Sequence, residues 1–179
     1  KLDEPENRSP TPPEISLSPE NPTTVDDLQV YILSDSTDPD GDTIEYRYVW
    51  VQGGAPIDND SDILSSDLTS KEEIWSVTVY ANDGELDSSG VEQSVTIVNS
   101  APVITVSIDP ATPTTEDDLS VVVESADPDG DDLTLNYVWL KDGQDIGFTD
   151  EVVSSSATVS GEEWSVQVIG NDGELDSDV

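Results

Sequence analysis

Apolar and polar residues alternate in short bursts along this chain, and turn residues arrive about every eight to twelve positions. The clearest burst is Thr43–Val51, where Ile44, Tyr46, Tyr48 and Trp50 share one face at period two. Leu133, Leu135, Tyr137 and Trp139 repeat that face later in the chain. A strand over Ile74–Ala81 places Trp75, Val77 and Val79 together, and Trp164, Val166 and Val168 form the matching set. Shorter strands are predicted around Ile15 and Leu17, over Leu28–Leu33, Val91–Val98 and Val103–Ile108. A weaker one is predicted over Ile63–Leu68, matched by Val152–Val159. No apolar run holds a 3.6-residue period, so no helix is predicted. The fold class is all-β: two tandem antiparallel β-sandwiches.

Two copies of one unit of about 90 residues generate this pattern. Pro22-Thr-Thr recurs at Pro113, Asp26-Asp-Leu recurs at Asp117, and DPDGD occurs at Asp38–Asp42 and again at Asp127–Asp131. NDGELD occurs at Asn82–Asp87 and at Asn171–Asp176. The offset is 91 residues before the first acidic loop and 89 after it, so repeat 1 holds two extra residues between Leu28 and Asp38. Residues 1–13 read as a polar, proline-bearing linker, 14–99 as repeat 1, and 100–179 as repeat 2 without a counterpart of its last strand. The first expectation is that the sequence is truncated there; the alternative is a strand supplied by a neighbouring chain, because an exposed sheet edge invites pairing. NSAP at Asn99–Pro102 joins the two repeats.

Charge changes the picture more than length does. Forty-one acidic residues face five basic ones, giving a formal net charge of -36. Nucleic acid is excluded as a partner, because phosphate contacts need Lys and Arg. Anionic membrane surfaces are disfavoured, and no stretch is apolar for the length of a membrane span, so no direct membrane insertion is expected. The acidity resembles that of halophilic or marine surface proteins. Absence of Cys removes redox chemistry and disulfide pins, and fits a bacterial or archaeal exterior. Asn7-Arg-Ser and Asn59-Asp-Ser match the glycosylation acceptor pattern.

The acidic loops are the candidate chemistry. DPDGD sets Asp38, Asp40 and Asp42 at alternate positions, with Asp127, Asp129 and Asp131 as their copies. Alternate side chains of a curled loop converge on one hard cation, and calcium takes six to eight oxygens. Sandwich topology brings the second loop to the same end. It adds Asn82, Asp83, Glu85 and Asp87 in repeat 1 and Asn171, Asp172, Glu174 and Asp176 in repeat 2. Crowded carboxylates without a counter-ion cost stability, and Ca2+ removes that cost. A second reading keeps Asn-Asp-Gly-Glu as a solvated Asx turn. Asp26, Asp27, Glu72 and Glu73 at the other end of repeat 1 are expected to contribute to a shared cation site with the loops of repeat 2. Without His or Cys, zinc is not expected.

DPDGD, an alternating strand ending in Tyr-x-Trp, a Trp-Ser-Val strand and Asn-Asp-Gly together resemble immunoglobulin-like repeats of large bacterial and archaeal surface proteins. They are similar to the polycystic-kidney-disease (PKD) type and to microbial cadherin-like modules. The resemblance implies calcium ligands at Asp38, Asp40, Asp42, Asp127, Asp129 and Asp131, and matches Asn82, Asp83, Asn171 and Asp172 to the later loop. It implies an extracellular, cell-surface stalk or spacer whose partners are neighbouring repeats. Surface glycans or proteins, or like subunits of a filament or surface layer, are the alternatives. Tryptophans in alternating strands are expected in the core rather than as sugar platforms. Acids crowded into turns, with no His or Cys, point away from an enzyme.

Overall fold

Every long strand of this chain forms where an apolar residue recurs at every second position. The computed structural model describes residues 6–178. The chain divides into two units, Lys1–Asn99 and Ser100–Val179. In the first, β1 (Glu14–Ser18), β2 (Leu28–Ser34) and β5 (Ile63–Leu64) form one sheet in the order β1-β2-β5. β3 (Glu45–Gln52), β4 (Ala55–Pro56), β6 (Ile74–Asn82) and β7 (Val91–Thr96) form the other in the order β4-β3-β6-β7. In the second unit, β8 (Val103–Asp109), β9 (Leu119–Ala126) and β12 (Val152–Val153) form one sheet. β10 (Thr134–Lys141), β11 (Gln144–Asp145) and β13 (Trp164–Asn171) form the other. All strand pairings are antiparallel. The protein is all-β and of β-sandwich type, with no α-helix among the described residues.

Each unit buries the inner faces of its own two sheets. In the first, Ile15, Leu28, Val30 and Leu64 from one sheet meet Trp50, Trp75, Val77 and Val79 from the other, with Ile97 closing the cluster. In the second, the fully buried cluster shrinks to Leu119, Trp139 and Val153, with Ile108, Val121, Trp164 and Val166 half-buried around it. Trp50 and Trp139 are completely buried, and their indole N–H groups donate to the carbonyls of Ser61 and Asp150, both at 2.9 Å. They are core residues, as their strand positions predict, and not sugar platforms.

In the first unit the chain after β7 covers the core: the Ile97 amide donates to Glu73 O and Val98 N donates to Pro22 O. In the second unit no strand among the described residues pairs with the free edge of β13. The corresponding surface is a groove lined by Ile108, Pro113, Leu119, Glu162 and Trp164. Trp164 is half-buried where Trp75 is buried, and it stacks edge-on against Trp139 at 6.2 Å.

Two expectations need adjustment. Ile63–Leu68 and Val152–Val159 are not continuous strands. Each has two strand residues followed by a 3-10 turn, Ser66–Leu68 or Ser155–Ala157. The Ser65 and Ser154 hydroxyls accept from amides two residues on, so local side-chain bonds compete with the ladder. The two extra residues of repeat 1 also have a place. The β1–β2 register slips between Glu14 and Ile15, leaving Leu33 as a bulge, whereas the β8–β9 ladder runs without a shift. The bulge takes up one extra residue, and the other falls between Ser34 and Asp38.

Truncating Trp50 or Trp139 to Ala removes a fully buried indole from a small core. Chemical denaturation of each variant is expected to show a loss of about 3–5 kcal/mol in the unit concerned. Unfolding like that of the wild type would place the indole outside the core.

Candidate metal centre

Each DPDGD loop is wound around its first carboxylate. Asp38 Oδ1 accepts from the amides of Asp40 (2.7 Å) and Asp42 (3.1 Å). Asp127 Oδ1 accepts from Asp129 (2.8 Å) and Asp131 (3.1 Å) in the same way. Pro39 and Pro128 restrict the turn, while Gly41 and Gly130 sit at φ 88° and 80°, where a side chain is disfavoured. The curl leaves the second oxygen of the lead carboxylate pointing inward. Asp38 Oδ2 and Asp127 Oδ2 are both buried, and neither has a hydrogen-bond partner. A buried acceptor without a donor carries its full desolvation cost, and both copies leave the same oxygen in that position.

In repeat 2 the three carboxylates converge. Asp127, Asp129 and Asp131 are half-buried, and one oxygen of each lies within 4.8 Å of the others. Asp129 is anchored from outside the loop, where its Oδ2 accepts from the Ser100 amide at 2.7 Å. These oxygens are hard donors at a spacing suited to one divalent cation. Among the described residues no other group of three converges in this way.

Repeat 1 arranges the same residues differently. The Arg8 amide donates to Asp40 Oδ2 at 2.9 Å, as Ser100 does to Asp129. The Arg8 side chain then folds onto the loop. Its Nε and Nη2 donate to Asp40 Oδ1 at 3.2 and 2.8 Å, and Nη2 also reaches Pro39 O at 2.9 Å. These hydrogen bonds hold the Asp40 carboxyl below the usual range and raise the Arg8 guanidinium above its own. Asn7 Nδ2 donates to Asp83 Oδ2 at 3.1 Å, so Asn7 and Arg8 reach both acidic loops. Asn7, Arg8 and Thr11 therefore all hydrogen-bond to the loop end of repeat 1. The first five residues of the expected linker lie outside the described residues.

The NDGELD loops are closed Asx turns. Asn82 Oδ1 accepts from Gly84 N, Asp83 Oδ1 accepts from the Glu85 and Leu86 amides, and Asn82 Nδ2 donates to Asp87 Oδ1. Asn171, Asp172, Glu174 and Asp176 repeat these bonds. Arg47 adds a salt bridge to Asp87, and its guanidinium lies 4.4 Å over the Tyr80 ring. The loops are tied to their strands by the buried Ser88 and Ser177, whose hydroxyls accept from Ala81 N and Gly170 N. The register of β3 with β6, and of β10 with β13, puts both acidic loops of a repeat at one end.

At the opposite end the acids serve the main chain. Asp26 Oδ2 accepts from Thr23 N and Oγ1 at 2.8 and 2.7 Å, and Asp27 Oδ1 from Ser66 N at 2.7 Å. Asp117 and Asp118 do the same for Thr114 and Ser155. Glu73 accepts from Ser70 N, the Trp75 indole and Gln52. Glu72 turns the backbone at φ 71°. Each role is local to its own unit.

Arg8, Asn7, Ser88 and Ser177 were not singled out as loop partners by sequence reasoning. A signal exists: Asn7-Arg-Ser-Pro matches Asn99-Ser-Ala-Pro at an offset of 92. No protein-family model matches this chain, and no curated protein sequence matches it. Among the described residues no helix is long and apolar enough to cross a membrane.

Backbone and side-chain hydrogen bonds from Ser66 and Ser155 hold Asp27 and Asp118 below the ordinary value of 3.8. Depressed carboxylates stabilise the fold above that value and lose the contribution as the pH falls through their lower folded pKa. At fixed ionic strength, Tm is expected to fall between about pH 4 and pH 2. The fall should be shallower in an Asp27→Asn, Asp118→Asn variant, whose amides do not titrate. Parallel curves would remove these two acids from the acid limb.

Proposed function

We propose that this chain is a calcium-stabilised pair of immunoglobulin-like repeats, of the PKD-type or microbial cadherin-like kind. It acts as a stalk or spacer of an extracellular surface protein and performs no chemistry of its own. One observation carries the cation part. The buried, unpartnered Asp127 Oδ2 lies in a loop whose three carboxylates converge within 4.8 Å. A hard divalent ion supplies the missing positive partner and relieves carboxylate repulsion. Calcium suits the site better than magnesium, because a loop of carboxylates and carbonyls tolerates irregular, high coordination. Duplication of a whole sandwich-type unit, with acids such as Asp26, Asp27, Asp117 and Asp118 committed to its own turns, supports the spacer reading.

Calcium, magnesium and chelator are compared by thermal unfolding at one high ionic strength, so that screening of the net charge is constant. Calcium at about a hundredfold over Kd is expected to add about 2.7 kcal/mol to repeat 2. Asp127→Asn with Asp129→Asn should lose most of that gain. Identical melting in all three conditions would overturn the cation reading.

A further inference from the structure

We propose that repeat 1 binds a dehydrated calcium ion in a hollow of its own, with Ser36 Oγ and Asp38 Oδ2 as ligands. This rests on the reading of the acidic loops as cation sites. Among the described residues three side-chain atoms are buried without a hydrogen-bond partner, and two of them belong to this one hollow, which Ser36 and Asp38 line together. One is a hydroxyl that can donate and the other a carboxylate oxygen that accepts, yet they do not bond each other. A hard cation is a partner that both serve alike, through oxygen lone pairs. Asp35 and Asp42 also line the hollow and no basic residue does, so its charge is negative. Asp40 is not among the lining residues, and its carboxylate is engaged by the Arg8 amide and side chain.

The hollow follows from the local sequence of repeat 1. β2 stops at Ser34, opposite Glu14, whereas β9 stays paired as far as Ala126, opposite Val103. Residues 35–37 leave the ladder and are held from two sides. The Ser36 amide donates to the Tyr46 hydroxyl at 2.9 Å. Thr37 O accepts from the Thr11 amide at 2.9 Å, and Thr37 N donates to Thr11 Oγ1 at 2.8 Å. Repeat 2 has Leu135 in place of Tyr46, with no hydroxyl to hold such a segment, and its Ser125, the counterpart of Ser36, is exposed. Distance separates calcium from water at these oxygens. A hydroxyl or water bonds at about 2.7–2.8 Å, whereas calcium approaches oxygen to about 2.3–2.6 Å. Two oxygens buried in the wall of a hollow suit the closer approach. Magnesium gives up its waters reluctantly and demands near-octahedral geometry, so it fits less well.

The test uses the full chain, wild type and Ser36→Ala. The variant is expected to fold, because the hydroxyl it removes makes no hydrogen bond. Calcium, and separately magnesium, is titrated at fixed ionic strength and followed by amide NMR. The amides at position 36 and Gly41 report on repeat 1, and Gly130, which donates to Asp127 O, reports on repeat 2. In the wild type, position 36 and Gly41 should shift together with calcium and less with magnesium at the same concentration. Ser36→Ala should raise the apparent Kd at Gly41 by about tenfold and leave that at Gly130 unchanged. Thermal unfolding adds a change of sign. In chelator the variant should melt at or above the wild-type temperature, since it loses a buried hydroxyl that has no partner, and in calcium it should melt below it. Position 36 and Gly41 unmoved while Gly130 titrates would overturn the proposal and leave only water in the hollow. An unchanged Kd in Ser36→Ala would also overturn it, as would an equal loss of stability in chelator and in calcium, the mark of a packing role. Silence of Gly130 while repeat 1 responds would instead remove the cation reading from repeat 2 alone, and silence of all three amides would remove it from both loops.

Discussion

The carboxylate that accepts a main-chain N–H is the interaction on which this fold depends. A chain with 41 acids and five bases cannot neutralise itself by ion pairs. It commits its acids to the backbone instead. Asp26, Asp38, Asp83 and Glu73 each accept from amides close by in the chain, and Asp27 accepts from a distant turn. Repeat 2 reproduces these bonds with Asp117, Asp127, Asp172, Glu162 and Asp118. An ionised acceptor makes a stronger bond than a neutral one, and it satisfies amides that an irregular loop would otherwise leave unpaired. The same acidity that opposes compaction by self-repulsion therefore supplies the turn chemistry that positions the strands.

That dependence explains which parts of the structure were legible in the sequence. The long strands were, because burial on one face forces period two: Trp75, Val77, Val79 and Ala81 alternate without interruption in β6. The core tryptophans followed from the same pattern. Ile63–Leu68 misled because its apolar ends mask a Ser-Ser-Asp centre that prefers local bonds, with Asp27 taking the Ser66 amide from a distant turn. The acids of the opposite end, Asp26, Asp27 and Glu73, looked like spare ligands, yet each is engaged by a donor of its own unit. Sequence shows where charge is concentrated but not which oxygens already have a donor.

The first acidic loop shows this limit most clearly. Its spacing identified Asp38, Asp40 and Asp42 and their copies, and the turn geometry follows from Pro and Gly within it. What the spacing could not show was the split between the two oxygens of the lead carboxylate, one holding the turn and one buried without a donor. Nor could it show that Arg8, more than 30 positions away in the chain, reaches the loop through the carbonyl of Pro39 and the carboxylate of Asp40.

Duplication turns these details into a comparison. Two loops with one sequence and one pattern of internal hydrogen bonds differ in the residue whose amide docks on them, Arg8 with its guanidinium on the first and Ser100 on the second. A guanidinium is tethered, so its effective concentration at the loop is fixed by the chain and does not depend on the surroundings. A dissolved divalent ion acts by mass action and stabilises only as far as its concentration exceeds its dissociation constant. An added interaction at a loop whose lead carboxylate keeps one buried oxygen without a donor would weigh heavily, because net stability is a small difference between large terms.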